Sequence, residues 1–188
     1  MKVEVKRVTD WQRVLNAARK TVHKDGLDKE PSDDFKRKIL MSEHSPIRLL
    51  EFDVSLKDVP YFVVMHLVRH KHGFEPFVST SREDRTGVKR ADRRQTDLID
   101  CQFSLNAQAF INISRKRLCS CADIETRKTW IAIIDALREV EPILASLCVP
   151  ECEYRGFCPE INSCGMDKLP SFNSILEVYR NRKLNGNK

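Results

Sequence analysis

The chain has 188 residues, 41% of them hydrophobic and 32% charged, which suits one ordinary domain with its own core and excludes a large multidomain machine or a disordered or fibrous chain. Lysine plus arginine outnumber aspartate plus glutamate by 33 to 27, a net charge of +6 with a pI near 9.0, so an anionic ligand, a phosphate above all, is a natural partner. The opening MKVEVKRVTD lacks the apolar core of a secretory signal, and no uncharged apolar run reaches the roughly 18 residues of a membrane span. A cytoplasmic protein without membrane contact is expected, and its seven cysteines then read as thiols or metal ligands rather than disulfides.

Residues 1–8 alternate Val3, Val5 and Val8 with Lys2, Glu4 and Lys6, the period of a half-buried strand. Thr9 or Asp10 can cap a helix that carries Trp11, Val14, Leu15, Ala18 and Val22 at helical spacing. KDGLDKEPSDD is a loop, Ser32 and its acidic neighbours open a second helix through Ile39 and Leu40, and His44-Ser45-Pro46 ends it. Residues 47–56 read as a strand. Pro60 then starts the apolar helix PYFVVMHLVRHK, with His66, Arg69 and His70 on one face of its last turn. The chain turns at Gly73 and runs extended through Phe77, Val78, Ser79 and Thr80.

Residues 82–94 hold six basic and three acidic side chains with almost nothing to bury; this exposed segment is either a solvated surface or a flap over an anion. Residues 97–105 form a strand, and Asn106 caps the helix AQAFINISRKRL. Ile124, Trp130, Ile133, Ile134, Leu137, Val140, Leu144 and Leu147 predict one long core helix, kinked at Pro142. A Cys- and Pro-rich loop follows, and an amphipathic helix starts at Pro170. No internal repeat or dividing linker interrupts the chain.

Two constellations carry chemistry. In HLVRHK, residues 66–71, a buried helix ends in two His, an Arg and a Lys with little acid nearby. Such a donor cluster calls for an anion or carboxylate, or simply exploits the negative end of a helix dipole. In the second, Cys148, Cys152, Cys158 and Cys164 could wrap a structural zinc ion, hold an iron–sulfur cluster, or remain thiols. Cys119-Ser120-Cys121 is a candidate reactive thiol pair, or simply two small side chains at a helix junction.

Arg69-His70-Lys71, seven residues and then Ser79 resembles the Arg-His-Arg, seven residues, Ser signature of the flavin-dependent thymidylate synthases. Asn106-Ala107, Asn112, Arg117, Ala122 and Glu125 stand at the spacings of that family's second half, and His44-Ser45-Pro46 resembles its upstream His and Pro. The resemblance implies an α+β fold in which a small antiparallel sheet is flanked by helices. Residues 1–147 would form that domain, and the Cys-rich segment and last helix, 148–188, would pack on it. It also implies a homotetramer that converts dUMP to dTMP, using FAD with methylenetetrahydrofolate and NADPH.

By the same resemblance Arg69, His70, Lys71, Asn106 and Asn112 would contact the flavin. Ser79 would hold dUMP, His66 falls where the family turns a Gln toward the nucleotide, and Arg117 would orient the pyrimidine. An arginine at the ring's carbonyl edge stabilises the charge that develops when C5 attacks an electrophilic carbon, so Arg117 and Ser79 are the catalytic candidates. Arg82 or Arg90 would take the phosphate, and either Ser81 or Arg82 occupies the place of the family's next arginine. Lys71 replaces the third signature Arg, Pro76-Phe77 replaces an Asn-Glu pair, Arg48-Leu49 a Glu-His pair, and Gln108 an Arg between the two asparagines. Competing readings are the same fold modifying another pyrimidine nucleotide, a non-catalytic zinc-containing module that binds nucleic acid through the basic segment, and an inactive subunit of a complex. The absence of aromatics from residues 82–94 argues against the nucleic-acid reading.

Overall fold

The computed structural model describes residues 1–184. Four strands form one antiparallel sheet in the order β1-β2-β4-β3: β1 (Lys2–Arg7), β2 (Glu51–Pro60), β3 (Phe74–Val78) and β4 (Leu98–Asn106). Alternation sets its two faces. Phe52, Val54, Leu56 and Val59 of β2 and Ile99, Cys101, Phe103 and Leu105 of β4 are buried, while the residues between them face outward. The expected α+β class and small antiparallel sheet are what the chain adopts.

Helices cover the buried face. Among the described residues these are α1 (Trp11–Lys20), α2 (Asp33–Met41), α3 (Tyr61–Leu67), α4 (Glu83–Thr86), α5 (Ala107–Arg117), α6 (Ile124–Val140), α7 (Pro142–Leu147), α8 (Glu151–Arg155) and α9 (Phe172–Leu184). Asp10, Ser32, Asn106 and Asp123 cap α1, α2, α5 and α6 by accepting a backbone N–H three residues on. Phe52, Phe110 and Trp130 stack from sheet to α5 to α6, with centroids 5.3 and 5.9 Å apart, and Trp130 Nε1 donates to Ser114 Oγ at 2.9 Å.

Three expectations shift. The second strand begins at Glu51 because Pro46 starts a turn of 3-10 helix over Ser45–Leu49; it then runs on to Pro60 through a bulge at Asp58, whose φ is 56°. The helix from Pro60 stops at Leu67, so Arg69 and His70 lie in the turn beyond it. Pro142 ends α6 rather than kinking it, since a proline cannot donate to the preceding turn. Glu141 sits at that break in an extended conformation, its carboxylate 5% exposed, and accepts from Trp11 Nε1 at 2.9 Å and Arg7 Nη1 at 3.1 Å. The helix break thus becomes the anchor for the N-terminal strand and α1.

Candidate functional site

The site lies where α3, the turn after it, the N-terminal side of β4 and the C-terminal end of α5 converge. Burial of Val63, Val64 and Leu67 against the sheet turns His66 and Arg69 toward a pocket of about 240 Å³ that Tyr61, Phe62, Met65 and Gln95 complete. The first amides of α3 are satisfied by this neighbourhood: Tyr61 N donates to Asp97 O at 2.9 Å and Phe62 N to Gln95 O at 3.0 Å. Tyr61 and Gln95 also line an adjoining pocket of about 340 Å³ with Ser81, Arg90, Arg93, Arg94, Asp97 and Ile99. The two form one cleft, with His66 and Arg69 at one end and three arginines at the other.

Arg117 is tied to the first end through His70 and the His66 backbone, without lining the pocket itself. At the last turn of α5 its Nε donates to His70 Nε2 at 3.0 Å and its Nη2 to the His66 carbonyl. His70 must present a lone pair there, and burial, helped by the Arg117 charge, lowers its pKa to about 4. Burial and the neighbouring Arg69 guanidinium likewise hold Arg117 below its ordinary value. Among the described residues neither guanidinium has a carboxylate partner, and two like charges near one another favour an electron-rich ligand beside them.

The opposite end is looser. Residues 82–94 carry α4 and a 3-10 turn at Arg90–Asp92, with no buried residue in either. Arg82, one of the two expected phosphate ligands, is occupied: its Nε and Nη2 donate to Asp84 at 2.9 and 2.8 Å. Arg90 has no acidic partner among the described residues, and neither do Arg93 and Arg94, which sequence reasoning did not single out. Arg93 Nη2 donates to Thr86 at 2.7 Å, yet its Nε is buried without a partner. An orphaned guanidinium N–H in a cavity wall is an anion site in waiting.

The residues assigned to a flavin divide. Lys71, Asn106 and Asn112 line a separate cavity of about 470 Å³ with Arg48, His72, Gly73 and Gln108, whereas Arg69 faces the His66 pocket and His70 serves Arg117. Gly73 has φ 66°, and a Cβ there would fall 2.4 Å from Asn106 Nδ2, so the turn presses directly against the cap of α5. Gln108 is tied to Glu43 at 2.6 Å and to Asn112 at 3.2 Å, and Arg115 pairs with Glu43 while stacking on Tyr154 at 3.7 Å. Amide, ammonium and imidazole groups around a glycine-lined wall fit the polar ring edge and side chain of a flavin. Ser79 lies outside these cavity walls: its amide donates to Asp100 O at 2.9 Å and its hydroxyl accepts from Asp100 N at 3.3 Å, clamping the end of β3 to β4.

The four-cysteine set also changes. Cys148 is buried in the main core beside Ser114, where burial pushes its thiol up to about 12. Cys152 and Cys158 instead join a second apolar cluster with Phe172, Leu176 and Met166. Desolvation, and then the nearby Cys119 and Cys164, raise the thiols of Cys152 and Cys121, and Cys121 Sγ donates to Asn162 O at 3.5 Å. Among the described residues no three His, Cys, Asp or Glu side chains stand as a metal shell. The Cys121–Asn162 contact joins the C-terminal segment to the end of α5, at the Cys119-Ser120-Cys121 junction that the sequence offered as a thiol pair or as two small side chains.

No family model and no curated protein matches this sequence. Among solved structures, the chain shares its fold with the flavin-dependent thymidylate synthases. ThyX from Helicobacter pylori, solved with FAD and dUMP, superposes with a TM-score of 0.62 at 18% identity, covering 79% of this chain and 100% of that one. The UMP/dUMP methylase PolB from Streptomyces cacaoi, bound with 5-Br dUMP, matches with a TM-score of 0.57 at 14% identity over 78% of this chain and 94% of its own. Among the described residues no helix is long and apolar enough to cross a membrane.

Proposed function

We propose that the protein is a pyrimidine-nucleotide methyltransferase that converts dUMP to dTMP, with methylenetetrahydrofolate as carbon donor and NADPH as reductant. The observation that carries this is a cleft with His66 and Arg69 at one end, Arg117 bonded to the His66 carbonyl beside them, and Arg90, Arg93 and Arg94 at the other end. A nucleoside monophosphate has the matching layout, with carbonyl oxygens at its base and a dianion at its phosphate. Sharing a fold with ThyX and with a UMP/dUMP methylase supports the same ligand class.

In this scheme Arg90 and Arg93 take the phosphate and fix the register of the nucleotide. Arg117, aimed by His70 and the His66 carbonyl, donates to a ring carbonyl; the negative charge that builds there as C5 attacks the methylene carbon meets a preoriented guanidinium. No cysteine nucleophile takes part. Lys71, Asn106 and Asn112 hold the flavin, and FAD when bound supplies the hydride that completes the methyl group. The active enzyme in this proposal is a homotetramer.

The test is the visible spectrum of freshly purified, tag-free protein before and after addition of FAD and then dUMP, followed by an assay for dTMP. Flavin bands that shift with dUMP, together with dTMP formation, are expected. Protein that stays colourless, retains no FAD and binds no dUMP overturns the proposal. UMP is the second nucleotide to assay.

A further inference from the structure

His66 is held by a chain of groups that no aspect of nucleotide binding by itself requires. Its Nδ1 lies 2.8 Å from Thr126 Oγ1, and Thr126 Oγ1 in turn lies 2.9 Å from Asp123 Oδ1, which also accepts the Thr126 amide at 2.9 Å. The Thr126 amide holds the Asp123 carboxyl below its ordinary range, so Asp123 is an acceptor only. The single hydroxyl proton of Thr126 must therefore go to Asp123, and toward His66 the hydroxyl oxygen can only accept. Nδ1 carries the ring proton, and in the neutral imidazole Nε2 keeps a lone pair. Phe62 packs edge-on against the ring, centroids 5.9 Å apart and planes at 76°, and fixes its orientation.

We infer that Asp123 and Thr126 set the tautomer of His66 so that Nε2 meets the base of the bound nucleotide as a hydrogen-bond acceptor, and that this selects uracil over cytosine. The inference rests on the proposed function, since it needs a pyrimidine in this pocket. Uracil presents an N–H at ring position 3, where cytosine presents a lone pair. The other polar groups do not discriminate: Arg69 and Arg117 donate to the ring carbonyl at position 2, which both bases carry, and the Tyr61 hydroxyl and the Gln95 amide can each offer a donor or an acceptor to the ligand. A fixed acceptor facing a second lone pair leaves two unpaired buried groups, and such mismatches discriminate strongly.

Two measurements test this. Ring nitrogen shifts of 15N-histidine-labelled protein should show His66 protonated at Nδ1 in wild type and in Thr126→Ser, which keeps the hydroxyl, and as a mixture of tautomers in Thr126→Val and Asp123→Asn. Calorimetric titration with dUMP and dCMP should give wild type and Thr126→Ser a preference for dUMP that drops at least about tenfold in Thr126→Val and His66→Gln. Equal binding of dUMP and dCMP by the wild type, or an Nε2-protonated ring, overturns this inference and leaves the proposed function standing. Failure of the wild type to bind either nucleotide overturns both.

Discussion

The two ends of the cleft are built to different standards. At the Arg117 end the central side chains form a chain of hydrogen bonds: Arg117 is held by His70 and a backbone carbonyl, His66 by Thr126, and Thr126 by Asp123. At the Arg90 end the guanidiniums project from a segment that buries nothing, and Arg93 has an N–H without a partner. The first end is organised before a ligand arrives and suits chemistry, where a small misplacement is costly. The second relies on charge and completes itself on the ligand, as suits capture of a phosphate.

The sharpest way to break this contrast is Arg117→Ala. It should lower dTMP formation about 10²–10³-fold with the fold intact by circular dichroism; unaltered turnover would remove Arg117 from the reacting base. Glu43→Gln attacks the rigid end from behind, because Arg115 and Gln108 on α5 both lean on that carboxylate. A loss of about 1–3 kcal/mol in urea denaturation is expected, since Arg115 is left partly buried and unpaired. At the loose end, Arg90→Ala should weaken dUMP binding about fivefold at low salt and progressively less as salt rises, with turnover of bound nucleotide nearly unchanged. A fall in turnover equal to that of Arg117→Ala would mean that the two ends do not divide the work.

The last expected effect is a pH dependence of stability. Folded His70 stays neutral down to about pH 4, whereas an unfolded histidine takes its proton near 6.5. The unfolded chain therefore binds more protons between those values, so stability falls as pH drops from 6.5 toward 4 and levels below; above 6.5 His70 contributes nothing to the slope. His70→Gln retains an acceptor for Arg117 and should flatten this part of the profile, measured as the urea midpoint against pH.

Much of this was legible in the sequence. Alternation in residues 97–105 followed by Asn106 marked β4, its cap and the helix that carries Arg117, because strand period and capping are local properties. The spacing from His66 through His70 pointed to the end of α3, although the helix ends at Leu67 and Lys71 lines a different cavity from His66 and Arg69. What local pattern could not reveal was pairing at a distance. Cys148 reads as a fourth ligand yet is buried in the main core, and even a near pairing escaped the pattern, since Arg82 reads as free as Arg90 although Asp84, two residues on, holds it. Thr126 and Asp123 read only as the start of a helix, since their contact with His66 spans 60 residues.

The anchorage of Glu141 bears on how the chain reaches this structure. Its partners Arg7 and Trp11 lie 134 and 130 residues earlier. All four strands have been synthesised by Asn106, yet α6, which covers β1, and the carboxylate that secures the first helix emerge only afterwards. A nascent chain therefore carries a paired sheet with one bare apolar face for the time the ribosome takes to add the next few dozen residues, a few seconds at about 5–20 residues per second. Closure of so long a loop makes folding slow for a domain of this size, and truncation before residue 141 should yield a product that aggregates rather than folds.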